Sequence, residues 1–208
     1  MAGDGSSGAR PPRSGGYAKG RATRDEILGA ATILFGEVGY RSASLREISA
    51  RVGISHPGLL HHFPTKELLL AAVLAHRDEV DDAAIAADLA AGTDFFEALA
   101  RVAERNVSRP GIVELFASLS AEATAPDHPA HDYFRRRYAD LLRRLTVELE
   151  RRDETGTLRA GLVPVDAART VVALMDGLQV QWLLERADEG TRVDMAAVLR
   201  AHVATLVG

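Results

Sequence analysis

Residues 44–63 read SLREISARVGISHPGLLHHF, and this stretch decides the fold. Ser44-Leu45-Arg46-Glu47 is a capping box, a hydroxyl and a carboxylate three residues apart that each satisfy a free backbone N–H at a helix start. Leu45, Ile48 and Val52 then share one face, and Gly53 stops the helix by supplying a positive φ. Ser55 caps a second short helix, with Pro57 in its first turn where the missing N–H costs nothing. That helix ends near Phe63-Pro64. Ile48, Val52, Ile54 and Leu59 supply a small core that locks the two helices near a right angle. A helix so short is marginal alone and forms only by packing. Two readings fit the pattern: an ordinary αα corner in a bundle, or a rigid scaffold that presents a short polar helix to a DNA major groove, which admits one helix.

Helical periodicity continues on both sides. Upstream, Thr23-Arg24-Asp25-Glu26 is another capping box, and Ile27, Ala30, Ala31, Leu34, Phe35 and Val38 repeat at three-four spacing until Gly39. Residues 1–20 are mostly Gly, Pro, Ser and basic side chains, too poor in apolar area to offset ordering entropy, so a disordered basic arm is expected there. The run Gly3-Asp4-Gly5-Ser6-Ser7-Gly8 matches a dinucleotide-loop pattern but has no strand before it and no helix after it. Downstream, Thr65 caps a helix expected to run to about Val80. Further helices are expected at roughly 79–91, 94–107, 111–124, 128–152 and 166–185, with a last one opened by Asp194. Residues 155–161 read as a loop. No stretch alternates with period two, so the fold expected is all-α.

The 208 residues, 47% apolar and 26% charged, suit one compact unit or two small domains with a sizeable core. The chain holds no cysteine, which removes disulfides, thiol nucleophiles and thiolate zinc sites. No transmembrane run or secretory h-region stands out, so a cytoplasmic location is expected. The net charge of −4 is unevenly spread: residues 1–66 hold nine basic and five acidic side chains, a net +4, and the remainder carries −8. A polyanion would choose the N-terminal third.

The residues from Arg24 onward resemble those of the tetracycline-repressor (TetR) family of transcriptional regulators. The resemblance is carried by Arg24-Asp25-Glu26-Ile27-Leu28, Ala30-Ala31, Leu34-Phe35, Gly39-Tyr40, Ser44-Leu45-Arg46-Glu47-Ile48, Gly53-Ile54-Ser55 and His62-Phe63-Pro64-Thr65-Lys66-Glu67-Leu68-Leu69. It covers about residues 21–70 in uninterrupted register. It implies a three-helix DNA-binding head with a helix-turn-helix over 21–68, and an effector-binding and dimerisation domain over 69–208. It also implies a homodimer that places its third helices on a double-stranded, near-palindromic operator and is released by a small-molecule effector, repression being the family's commoner mode. By position, Ser44, Ser55 and Lys66 are implied phosphate contacts at helix N-termini, where free N–H groups favour anions, and Arg46 is another. Base edges fall to His56, Pro57, Gly58 and His61. Arg21 and Arg24 reach the neighbouring backbone or minor groove. Two positions depart from the family: Leu60 stands where a tyrosine usually reaches a phosphate, and Ser49 where alanine is usual. Leucine can touch a thymine methyl instead. His61 or His62 is a candidate substitute phosphate contact, since a protonated imidazole would add positive charge there; a buried, hydrogen-bonded spacer is the other reading of His62.

For the C-terminal domain, family analogy implies a dimer interface from the 128–152 and 166–185 helices. Leu142, Leu145, Leu149, Met175, Leu178 and Trp182 are its candidates, with intrachain core as the alternative. Candidate effector-pocket residues are Phe95, Phe116, Glu122, Tyr133, Arg137, Tyr138 and Gln179. Asp127-His128-Pro129-Ala130-His131-Asp132 is the one cluster with metal-ligand spacing, yet Asp127 and Pro129 also make an ordinary helix start. A helical metal-dependent hydrolase built on that cluster is the rival function. No G-x-S-x-G, P-loop or H-E-x-x-H motif is present, so no enzyme, no metal and no cofactor is expected.

Overall fold

The computed structural model describes residues 14–185 and 190–208, so most of the expected arm, residues 1–13 with the Gly3–Gly8 run, lies outside the described residues. The first helix, α1 (Ser14–Ser42), starts well before Thr23. Once Ile27, Ala31, Leu34 and Phe35 anchor it in the core, each added residue costs only propagation. Helical backbone breaks at Gly39, whose φ of 75° and ψ of 161° lie in a region that is essentially glycine-only.

The decisive stretch folds as two short helices, α2 (Leu45–Val52) and α3 (His56–His62). Ser44 Oγ accepts from the Glu47 N–H at 3.1 Å, and Ser55 Oγ accepts from the Gly58 N–H at 3.1 Å. Between them Gly53 is left-handed, with φ 75° and ψ 26°. Ile48 and Leu59 are fully buried beneath the corner, each contributing roughly 1.5–3 kcal/mol of burial. Ser49 is buried too, and its hydroxyl donates to the Arg46 carbonyl at 2.8 Å.

Thr65 caps α4 (Lys66–Ala90), one unbroken helix where the sequence suggests two meeting near residue 80. No glycine or proline interrupts it, and the Arg77–Asp81 ion pair (3.0 Å) at i,i+4 spans the expected junction. Then follow α5 (Phe95–Val107), α6 (Pro110–Glu122), α7 (His131–Glu154), α8 (Pro164–Leu184) and α9 (Met195–Leu206). Among the described residues there are nine helices and no strand, only an isolated antiparallel bridge between Leu158 and Val207.

The cores divide unevenly. One cluster joins the head to α4, α6 and the start of α7, so Ile48 and Leu59 belong to the same apolar body as Leu70, Leu115 and Phe134. A second unites α5, α7, α8 and α9. Packing within the single chain favours intrachain core, the alternative reading of the interface candidates. Leu145 and Leu149 are 0% exposed in that second cluster, against which the half-buried Leu142 and Met175 pack, and Leu178 and Trp182, 3% and 1% exposed, form a third with Val113 and Met195. The large apolar groups left outward on α7 and α8 are Val147, Val165, Val180 and, at 80% exposure, Leu184.

Candidate DNA-binding and effector sites

The outer rim of the helix-turn-helix carries most of the expected DNA contacts at accessible positions. Ser44, Arg46, Ser55, Pro57 and His61 are exposed; His56, Gly58 and Leu60 are half-buried. His61 and the half-buried His62 stack edge to face at 5.8 Å between ring centroids. The Arg24 guanidinium lies 5.0 Å from the centre of the Phe63 ring, which brings the arm side of α1 beside the end of α3.

Lys66 has a different setting. Its ammonium donates to the carbonyls of Tyr40, Arg41 and Ala43 at 2.9, 3.2 and 3.0 Å, which uses all three of its donors. It therefore closes the C-terminal end of α1 against the first turn of α4. Beside it the Tyr40 hydroxyl donates to Glu67 Oε1 at 3.0 Å, and burial with that carboxylate pushes the phenol pKa upward, so it stays a donor.

The expected effector residues separate into three places. Phe95, Tyr133 and Arg137 line a cavity of about 310 Å³ between α4, α5, α7 and α8. Phe116, Tyr138 and Gln179 line a separate void of about 60 Å³, where the Tyr138 hydroxyl donates to Asp176 at 2.8 Å. Glu122 lines neither. It sits at the end of α6 under Gly39, its Oε2 3.5 Å from His128 Nε2.

The 310 Å³ cavity has an apolar floor of Ile85, Phe95, Leu99, Val102 and Met175 beneath a charged rim. Sequence reading missed the α4 part of that rim. Asp78 accepts from the Tyr133 hydroxyl at 2.7 Å and from Arg77 at 3.2 Å, and pairs with Arg137. Burial raises the Asp78 carboxyl above its ordinary value, and Tyr133 and Arg77 draw it back down. Arg77 is itself buried, with its guanidinium 3.9 Å from the centre of the Phe116 ring on α6. The available signal was Arg77 and Asp81 four apart on a largely apolar helix.

The histidine cluster does not converge as a metal site. His128 Nδ1 accepts from the Ala130 N–H at 3.1 Å, and His131 Nδ1 lies 2.9 Å from the Ala123 carbonyl oxygen. Both rings thus hold the α6–α7 turn. Among the described residues no group of three or more His, Cys, Asp or Glu is placed to hold a metal ion.

A model of the tetR family of bacterial regulatory proteins matches residues 27–73, and one of the C-terminal part of BetI-type transcriptional repressors matches 95–208. The chain belongs to the TetR family. Over 50 residues it is 48% identical to the HTH-type transcriptional repressor Rv3405c of Mycobacterium tuberculosis, covering 24% of this chain and 27% of that one. The chain therefore matches only about a quarter of that curated relative's length. Structural likeness to TetR-family proteins extends further. A transcriptional regulator of the family from Agrobacterium tumefaciens superposes with a TM-score of 0.75 over 90% of this chain and 99% of that one, at 24% identity. The SmeT–triclosan complex does so with 0.71 over 90% and 92%, also at 24%. Nothing in these likenesses favours the hydrolase reading. Among its described residues no helix is long and apolar enough to cross a membrane.

Proposed function

We propose that the protein is a repressor that binds a near-palindromic operator as a homodimer and is released when a small molecule enters the 310 Å³ cavity. The observation that carries this reading is the capped corner, whose rim leaves Ser44, Arg46, Ser55, Pro57 and His61 exposed on one scaffold. Each cap serine accepts its helical N–H and still has its hydroxyl proton to donate to a phosphate. Arg46 adds a charged phosphate contact. His56, Pro57, Gly58 and His61 face the bases, and Leu60 can meet a thymine methyl. Lys66 contributes by positioning: it ties α1 to α4, and so the head to the connector.

Dimerisation is assigned to the outer faces of α7 and α8, where Val147, Val180 and Leu184 are exposed. Two recognition helices can share one face of a duplex only about 34–36 Å apart. α4 reaches from the head at Lys66 to the cavity wall at Arg77, Asp78 and Asp82. A ligand that prefers another tilt of α4 spreads the heads, and moving the balance from 1:99 to 99:1 takes roughly 5.5 kcal/mol of differential binding. SmeT, a structural neighbour, is a complex with triclosan, which supports small-molecule control here.

The test is selection of bound duplexes from random DNA, followed by binding titrations across salt. Affinity is expected to fall steeply with salt, with a log–log slope of about −0.9 per phosphate contacted. Arg46→Ala should weaken all selected sequences alike and reduce the slope by about one contact. A protein that selects no sequence at low salt removes the proposal.

A further inference from the structure

We infer that the effector is an amphiphilic monoanion: a carboxylate or similar head on an apolar body of about ten non-hydrogen atoms, taking about 30 Å³ for each in a 310 Å³ cavity. This inference rests on reading that cavity as the effector site. The head group follows from which rim groups still have bonding capacity. Each of the four aspartates is already occupied by arginine: Asp78 by Arg77 and Arg137, Asp81 by Arg77 and Arg109, Asp82 by Arg144 and Asp140 by Arg143. Asp78 also holds the Tyr133 hydroxyl. An incoming cation would have to share a carboxylate already paired with arginine. Arg136 is different. It lines the cavity, is exposed, and makes no hydrogen bond or ion pair among the described residues. The lining holds four arginines and four aspartates, and with every aspartate paired Arg136 is the charge left over. An anion arriving there gains a partner at no other pair's expense.

The apolar body follows from what lies below the rim. Val102 and Met175 also line a neighbouring void of about 40 Å³, whose other walls include Leu178, Met195 and Leu199 with Arg77, Asn106 and Gln179. Met175, shared by the two, gives a wall that adapts its shape at low cost. A hydrocarbon body suits the Ile85, Phe95, Leu99, Val102 and Met175 floor better than a compact polar solute does.

Three probes of equal chain length separate the head groups: decanoate, decanol and decyltrimethylammonium, each titrated calorimetrically into the full-length protein below the concentration at which it self-associates. Decanoate is expected to bind once per chain and about tenfold or more tighter than the cation, the scale of one charge-assisted hydrogen bond. Arg136→Gln should remove most of that preference and Arg136→Lys should restore part of it, with the melting temperature unmoved in both and decanol affinity little changed. Decanoate that fails to bind, a cation that binds as tightly, or an Arg136→Gln protein with undiminished decanoate affinity overturns the inference. Release from a labelled operator duplex is read separately. Decanoate that binds as expected yet leaves DNA affinity unchanged supports the ligand class and removes the release mechanism instead.

Discussion

At the scale of single residues, the positions with strictly local jobs were legible and those with distant partners were not. Ser44, Gly53 and Ser55 do in the structure what spacing implied, because a cap or a turn is decided within four residues. Ser55→Ala is expected to cost about 1 kcal/mol of stability by chemical denaturation and to weaken operator binding further than that loss explains. Lys66 was not legible in this way. Its ammonium is used by carbonyls 23 to 26 positions earlier, a partnership that only the folded chain creates. Gly39 lies between these cases. Its place as a helix stop could be read, whereas the Glu122 carboxylate waiting 2.6 Å from any added Cβ could not. Glu122 Oε1 ends a flexible side chain and can shift, so backbone strain dominates. Gly39→Ala is expected to lower stability by about 1–3 kcal/mol, measured by urea titration, with no change in the number of subunits.

At the scale of helices, type, order and most ends were readable, and the ends that no glycine, proline or cap marks were not. Amphipathic periodicity marks which face is apolar, but it does not report where one helix stops when nothing breaks the chain. This is why α4 runs through residue 80 and α1 reaches back to Ser14. Pairing between helices was equally hidden. Arg200 on α9 grips Glu97 on α5 with two hydrogen bonds, 2.8 and 2.6 Å, across 103 residues of chain. Those bonds hold the Glu97 carboxyl below its ordinary value of 4.5. A depressed folded-state value means the stabilisation is complete above pH 4.5 and lost as pH falls through the folded value. Glu97→Gln should therefore cost less than about 1 kcal/mol near neutrality, the pair being partly exposed. The gap from the parent should close well below pH 4.5; a gap that stays constant across that range would assign the cost to something other than the ion pair.

At the scale of the whole molecule, the residues of the proposed dimer interface were the least legible, because leucines at helical spacing look alike whether they face the chain's own core or a twin. Burial separates them, leaving Val147, Val165, Val180 and Leu184 on the outside of α7 and α8. Leu184→Arg is expected to shift the protein to monomer by sedimentation equilibrium and to abolish high-affinity operator binding while leaving the single-chain fold intact. The unbroken span of α4 has a mechanical consequence under the proposed mechanism. Twenty-five residues make a rod of about 37 Å, so pivoting it by about 5° at the Ala90 end sweeps the other end through about 3 Å. Two such rods in mirror motion change the reach of the pair by about 6 Å, a large fraction of a groove's width, from a displacement near the ligand too small to disturb the packing around it. Leverage of this kind turns a modest binding event into a misfit with DNA.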